Sequence, residues 1–149
     1  MLKITVISVG KKHDSQFQDA IEHYQQRLAP FCQLRWELIP SSNVIQETER
    51  IIQKLPRHNL SVLLDGTGKH ITSEGIARFI AQQQNHAQTD IAIIIGGAYG
   101  VDDTLRSTVD YTFSLGPLTL PHQLVRVILL EQLYRGFAIL SGSPYHHSG

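Results

Sequence analysis

Five runs of apolar and β-branched residues alternate along the chain with stretches whose apolar positions recur at helical spacing. The runs are Leu2–Val9, Phe31–Ile39, Ser61–Leu64, Ile91–Ile95 and Tyr111–Phe113, and they predict strands. The stretches between and after them predict helices at Ser15–Leu28, Val44–Leu55, Ser73–Gln84, a short Asp102–Ser107 and Gln123–Leu140. Residues suited to N-caps precede three of them: Ser42 or Asn43, Thr72 or Ser73, and Asp102. Strands separated by helices predict βαβ units. The expected fold class is therefore α/β, a mainly parallel sheet with helices on both faces. The third and fourth runs are almost continuously apolar, as central strands should be.

The final helix departs from the amphipathic pattern. Leu124, Val125, Val127, Ile128, Leu129, Leu130, Leu133, Phe137 and Ile139 surround most of its circumference. A helix apolar nearly all round is buried, either deep in the core of one chain or in a homodimer interface. Glu131 and Arg135 stand at i, i+4 in the favourable order, as helix support or as a pair across that interface. The segment before this helix, Leu115–Pro121, is too apolar for a solvated connection, since loops ordinarily lie on the surface. Its composition predicts the lining of a ligand pocket at the C-terminal ends of strands.

With 149 residues, 42% hydrophobic and 17% charged, the chain suits one globular domain, here 1–149. Its formal net charge of +0 lacks the basic excess of a typical nucleic-acid binder. RNA contact would need a local patch, a dimer or some of the eight histidines. Cys32 has no partner cysteine and reads as a small core residue in a reducing compartment. No apolar run is long enough to span a membrane, and Met1–Val6 does not resemble a secretion signal. The expectation is a cytoplasmic protein without a membrane anchor.

Most short motifs are uninformative alone. Gly96-Gly97-Ala98-Tyr99-Gly100 follows a buried strand but lacks the spacing and first-strand position of a dinucleotide turn. Asp65–Lys69 superficially suggests a phosphate loop. Leu63 stands where its first glycine belongs, however, and His70 rather than Ser or Thr follows Lys69. His146 and His147 lack the spacing and companions of metal ligands, so no metal is expected. His122 and Arg126 lie one turn apart and would face the same mouth.

An ordered set of segments is far more specific. It comprises Ile95-Gly96-Gly97 with Gly100, Leu118-Thr119-Leu120-Pro121-His122, and Leu124-Val125-Arg126-Val127. Glu131 with Leu133-Tyr134-Arg135, and Pro144-Tyr145-His146, complete it. Val9-Gly10-Lys11-Lys12 and Leu63-Leu64-Asp65 with Gly68-Lys69 agree. The whole chain resembles the ribosomal RNA large subunit methyltransferase H family of the SPOUT superfamily. That resemblance implies a C-terminal trefoil knot, a homodimer and S-adenosylmethionine as cofactor. It also implies methylation of N3 of a pseudouridine in the intersubunit hairpin of 23S rRNA, on assembled ribosomes. Carried over by position, Leu64, Gly96 and Leu115, Gly116, Pro117, Leu118, Thr119, Leu120 would form the cofactor pocket.

N3 of a pseudouridine carries a proton that must leave, so a base or an anion-stabilising hydrogen bond is wanted. Tyr145 and His146 are the expected catalytic residues, in their own active site or the partner's. His122, Arg126 and His147 are expected to contact RNA. The family usually carries Arg or Lys where this chain has His147, which predicts weaker RNA affinity at alkaline than at mildly acidic pH. Two other readings stay open: a non-catalytic ribosome-binding factor that kept the fold, and a SPOUT methyltransferase acting on another RNA.

Overall fold

The computed structural model describes residues 1–87 and 89–147. In chain order the elements are β1 (Leu2–Val9), α1 (Gln18–Leu28), β2 (Cys32–Ile39), α2 (Val44–Lys54) and β3 (Leu60–His70). Then come α3 (Ser73–Asn85), β4 (Asp90–Ile95), α4 (Asp103–Thr108), β5 (Tyr111–Ser114) and α5 (His122–Leu140). The five strands form one sheet in the order β2-β1-β4-β3-β5, and every pairing is parallel. This is the α/β class that the apolar pattern predicts.

Alternation along each strand sorts residues between the two faces. Leu2, Ile4 and Val6 of β1 join Ile91, Ile93 and Ile95 of β4 beneath α1, α3 and α5. Ile7 and Val9 of β1 join Ala92 and Ile94 of β4 beneath α2 and α4. Three helices therefore cover one face and two cover the other. The caps fall where short polar side chains permit. Asn43 accepts from Gln46 N, Thr72 from Gly75 N and Asp102 from Leu105 N, at 2.9, 2.9 and 3.1 Å.

Two boundaries differ from the sequence expectation by more than one residue. A single 3-10 turn, Ser15–Phe17, precedes α1, which begins at Gln18 rather than Ser15. β3 continues well past Leu64, with a shift of register against β5 between Leu64 and Lys69. Thr67 donates to the Asp65 carboxylate from both its hydroxyl and its backbone N–H, which folds residues 65–68 into a bulge. Gly68 then returns so close to β5 that a Cβ would lie 2.5 Å from the Thr112 backbone.

α5 is wedged between α1 and α3. Its inner side, including Leu129, Leu130, Leu133 and Phe137, is buried in the core. Leu124, Val127 and Ile128 remain partly exposed; Val127 still packs on the core, whereas Leu124 and Ile128 belong to neither core cluster. Among the described residues no helix is long and apolar enough to cross a membrane.

Candidate active site

In an all-parallel sheet every strand delivers its C-terminal end to the same edge. β3 pairs with β4 as far as Leu64, β4 ends at Ile95 and β5 at Ser114. The three following segments enclose a cavity of about 390 Å³, closed on one side by His122 and Val125 of α5. Leu64, Gly96, Leu115, Gly116, Pro117, Leu118, Thr119 and Leu120 all line it. The structure thus brings together every residue expected at a cofactor pocket. A separate void of about 40 Å³ lies among Val62, Ile80, Leu133 and other core residues. Apolar atoms alone face it, and it is packing space.

Local chemistry shapes the cavity walls. A Cβ on Gly96 would fall 2.8 Å from Val101 Cγ1, so glycine is what lets the chain turn there. Gly100, at φ +79°, closes the turn by donating its N–H to Gly97 O at 3.0 Å. On the opposite wall Ser114 clasps the loop it opens. Its Oγ accepts from Gly116 N at 3.2 Å and donates to Gly116 O at 3.0 Å. Gly116 itself sits at φ +124° with open space where a side chain would be.

Asp65 is the carboxylate in the wall. Burial pushes its pKa up, but hydrogen bonds from Thr67 and Arg106 outweigh that and hold it below the usual value. Arg106 Nε donates to it at 3.1 Å. His122 has its pKa lowered, first by burial and then by the Arg126 charge, against the pull of Asp14 and Glu47. At neutral pH it is an uncharged imidazole facing the cavity, which suits proton acceptance better than phosphate attraction.

Arg126 does not face that mouth. It is 0% exposed, and its five N–H groups meet acceptors on β1 and the loop after it. Nε donates to Ser8 Oγ at 2.8 Å. Nη1 donates to Lys12 O at 2.9 Å and to His13 Nδ1 at 3.0 Å. Nη2 donates to Val9 O at 2.8 Å and to Gly10 O at 3.0 Å. No donor is left for a phosphate, which corrects the expectation of direct RNA contact by this residue. Neighbouring Gln123 works on the same loop, accepting from Asp14 N at 3.1 Å and donating to Lys12 O at 3.2 Å. The sequence pattern gave no warning of Ser8 or Gln123, because their partners lie more than a hundred residues away in the chain.

The tail sits elsewhere. Tyr145 donates its hydroxyl to Glu131 Oε2 at 2.8 Å, and its ring stacks edge-on to Tyr134. Burial, then the Glu131 carboxylate, pushes its pKa far upward, so the phenol stays protonated. Arg135 donates to His146 Nδ1 at 3.1 Å; since Arg offers only donors, the imidazole proton is on Nε2, 3.0 Å from Glu74 Oε1. Arg135 also forks onto Glu131, at 2.7 Å from Nη2, making the expected i, i+4 pair a helix support within the chain. Glu131 lies nine residues beyond His122, about 14 Å along the axis at 1.5 Å per residue. Tyr145 and His146 therefore do not line the cavity of their own chain. His147 is exposed. Cys32 is buried, and burial pushes its thiol up to about 11, as befits an inert core residue. Among the described residues no group of three or more metal-ligating side chains occurs.

Known proteins agree with this architecture. A family model described as "Predicted SPOUT methyltransferase" matches residues 2–146. The chain is 35% identical to the ribosomal RNA large subunit methyltransferase H of Carboxydothermus hydrogenoformans, over 97% of this chain and 99% of that protein. It is 37% identical to the enzyme of the same name from Geotalea daltonii, over 98% of this chain and 100% of the relative. Among solved structures, a probable methylase family protein from Haemophilus influenzae superposes with a TM-score of 0.62 at 12% identity, over 97% of this chain and 70% of its own. A probable methyltransferase from Bordetella pertussis does so with 0.61 at 10% identity, over 91% and 96%. At such identities the structures speak for the fold alone. The near-full-length sequence matches go further: the chain belongs to the ribosomal RNA large subunit methyltransferase H family of SPOUT methyltransferases.

Proposed function

We propose that this protein is an S-adenosylmethionine-dependent enzyme that methylates N3 of a pseudouridine in the intersubunit hairpin of 23S rRNA, on assembled ribosomes and as a homodimer. The observation that carries the reading is the convergence of three strand-end segments on one cavity of about 390 Å³. That volume suits a nucleoside-sized ligand. The residues fit the cofactor in kind as well. Gly96 and Gly116 bring backbone close to the cavity, and the apolar Leu115–Leu120 loop offers amide groups to bracket an adenine. The family resemblance adds that the C-terminal segment threads a trefoil knot.

S-adenosylmethionine, when bound, supplies a methyl group already activated for displacement. What the chain must add is alignment, which can contribute roughly 7–11 kcal/mol to such a reaction, and a route for the N3 proton. His122 is neutral and faces the cavity, so it is the side chain of this chain best placed to accept that proton. Tyr145, held protonated, would donate a hydrogen bond rather than act as a base. Tyr145 and His146 belong to the active site of the partner subunit in this reading, because α5 carries them away from their own cavity. The partly exposed Leu124, Val127 and Ile128 would form the interface that brings them there. His147, exposed at the end of the described chain, would meet RNA phosphate.

Calorimetric titration with S-adenosylmethionine tests the cofactor half of the proposal. One site per chain, lost in Gly96→Val, is expected. Absence of binding to the intact protein would leave a ribosome-binding factor without turnover.

A further inference from the structure

A buried arginine usually answers a carboxylate. Arg126 answers none, donating its hydrogen bonds to a serine hydroxyl, three backbone carbonyls and an imidazole. Three of those five acceptors, Gly10 O, Lys12 O and His13 Nδ1, lie in the loop Gly10–Asp14 that follows β1. Gln123 holds the same loop at Lys12 O and Asp14 N. At its root Gly10 donates to Ile39 O at 2.6 Å and adopts φ +108°, where a side chain would be strained. This scaffold leaves Lys11, Lys12 and Asp14 exposed, and among the described residues neither lysine forms an ion pair.

Position matters as much as rigidity. Because the sheet is all parallel, the end of β1 lies on the same edge as the cavity, and β1 is the direct neighbour of β4. A Cβ on Gly10 would lie 3.9 Å from His122 Nε2, and His122 lines the cavity. The root of the loop therefore stands beside the mouth, and the two lysines follow it directly in the chain. Beneath them lies the Arg126 charge, which forms no ion pair; the exposed Asp14 acts on it, and Asp14 and Glu47 both act on His122. Lys11, Lys12 and Arg126 against these two carboxylates leave a local positive excess in a chain of formal net charge +0.

We propose that the Gly10–Asp14 loop is a phosphate-gripping site for the RNA backbone next to the nucleotide that enters the cavity. Lys11 and Lys12 make the contacts, and Arg126 and Gln123 are positioning residues that hold the loop from below. The proposal deepens the rRNA methyltransferase reading and rests on it. Preordering the loop lowers the conformational cost of gripping phosphate, which is the use of a scaffold that spends a buried charge on backbone carbonyls.

Cosedimentation with ribosomes across a range of salt concentrations tests this without requiring turnover. Each lysine–phosphate contact contributes about 0.7–0.9 to the slope of log affinity against log salt. The double variant Lys11→Gln/Lys12→Gln should flatten that slope by about 1.4–1.8 and weaken binding roughly tenfold or more at low salt. Gln123→Ala should weaken binding while keeping the slope, since the charges remain and only their order is lost. S-adenosylmethionine affinity, measured in parallel, should not change in the lysine variant. A wild-type slope and affinity in that variant would overturn the proposal, and so would wild-type protein that fails to bind ribosomes. A tenfold loss of cofactor affinity would assign the lysines to the cofactor's carboxylate and overturn it too. Methyl transfer by the wild type, followed in the same preparations, reports separately on the enzyme reading.

Discussion

Replacing Arg126 with methionine would remove all five of its donors while keeping an unbranched side chain of similar reach. Two of the lost bonds, to Ser8 Oγ and Val9 O, are fully buried. The other three lie where water can reach the acceptor. A hydrogen bond to a charged group contributes about 1.5–3 kcal/mol net, so the buried two represent about 3–6 kcal/mol. The methionine regains about 1–2 kcal/mol by burying an apolar stem without a charge to desolvate. The difference predicts a destabilisation of about 1–5 kcal/mol. For a chain of this size each kcal/mol shifts Tm by about 2–4 °C, hence a fall of about 2–20 °C. Urea unfolding followed by circular dichroism reads the change directly, and an unaltered m-value would show that only stability has moved. Arg126→Lys should recover only part of the loss, because one ammonium cannot reach acceptors spread over three guanidinium nitrogens. If Arg126→Met unfolds within about 0.5 kcal/mol of the wild type, the loop is not held as described.

Other predictions concern different parts of the molecule. Gly68→Ala would drive a methyl group into the Thr112 backbone and should cost about 1–3 kcal/mol, visible as a lower urea midpoint; an unchanged midpoint would mean β3 and β5 separate easily. His13 and His122 both have pKa values lowered from 6.5, by burial first and the Arg126 charge second. The unfolded chain therefore binds protons there that the fold does not. Their stabilising contribution is complete above about pH 6.5 and is lost progressively as the pH falls below it. The drop in urea midpoint between pH 7.5 and 5.5 should shrink in His13→Asn/His122→Asn, and an equal drop would count against the assignment. Tyr145→Phe removes one hydrogen bond to Glu131 but leaves those from Arg135 and Gln132. Methyl transfer should fall while S-adenosylmethionine affinity holds; a parallel loss of both would place Tyr145 in cofactor binding instead.

How much of this was legible in the sequence depends on the range of the interaction. β3 and β4 declare themselves by continuous apolar character, and the helix caps by single polar residues three positions before the amide they bind. The eight cavity residues are those the family resemblance implies, and they meet because the strand ends that carry them converge on one edge of a parallel sheet. The bulge in β3 was not legible. It needs Asp65 to hold Thr67 and Arg106 together, and Arg106 lies forty-one residues on. Arg126 was misread for a related reason. One turn beyond His122, on a helix start near a pocket, an arginine looks like a surface cation. Its burial is decided by carbonyls of a strand end over a hundred residues earlier. Tyr145 and His146 were legible as a motif but not as a location, since nothing local says whether a tail folds onto its own helix.

The central claim is that the cavity at the strand ends serves methyl transfer to large-subunit rRNA. The most direct measurement uses labelled S-adenosylmethionine with assembled ribosomes and with free large-subunit rRNA, both from cells lacking the modification, followed by nucleoside analysis of the product. Label on a pseudouridine of the ribosomal sample, with little on free rRNA, is the predicted result. No label on either substrate, from protein that binds the cofactor, would contradict the account and point to a different RNA.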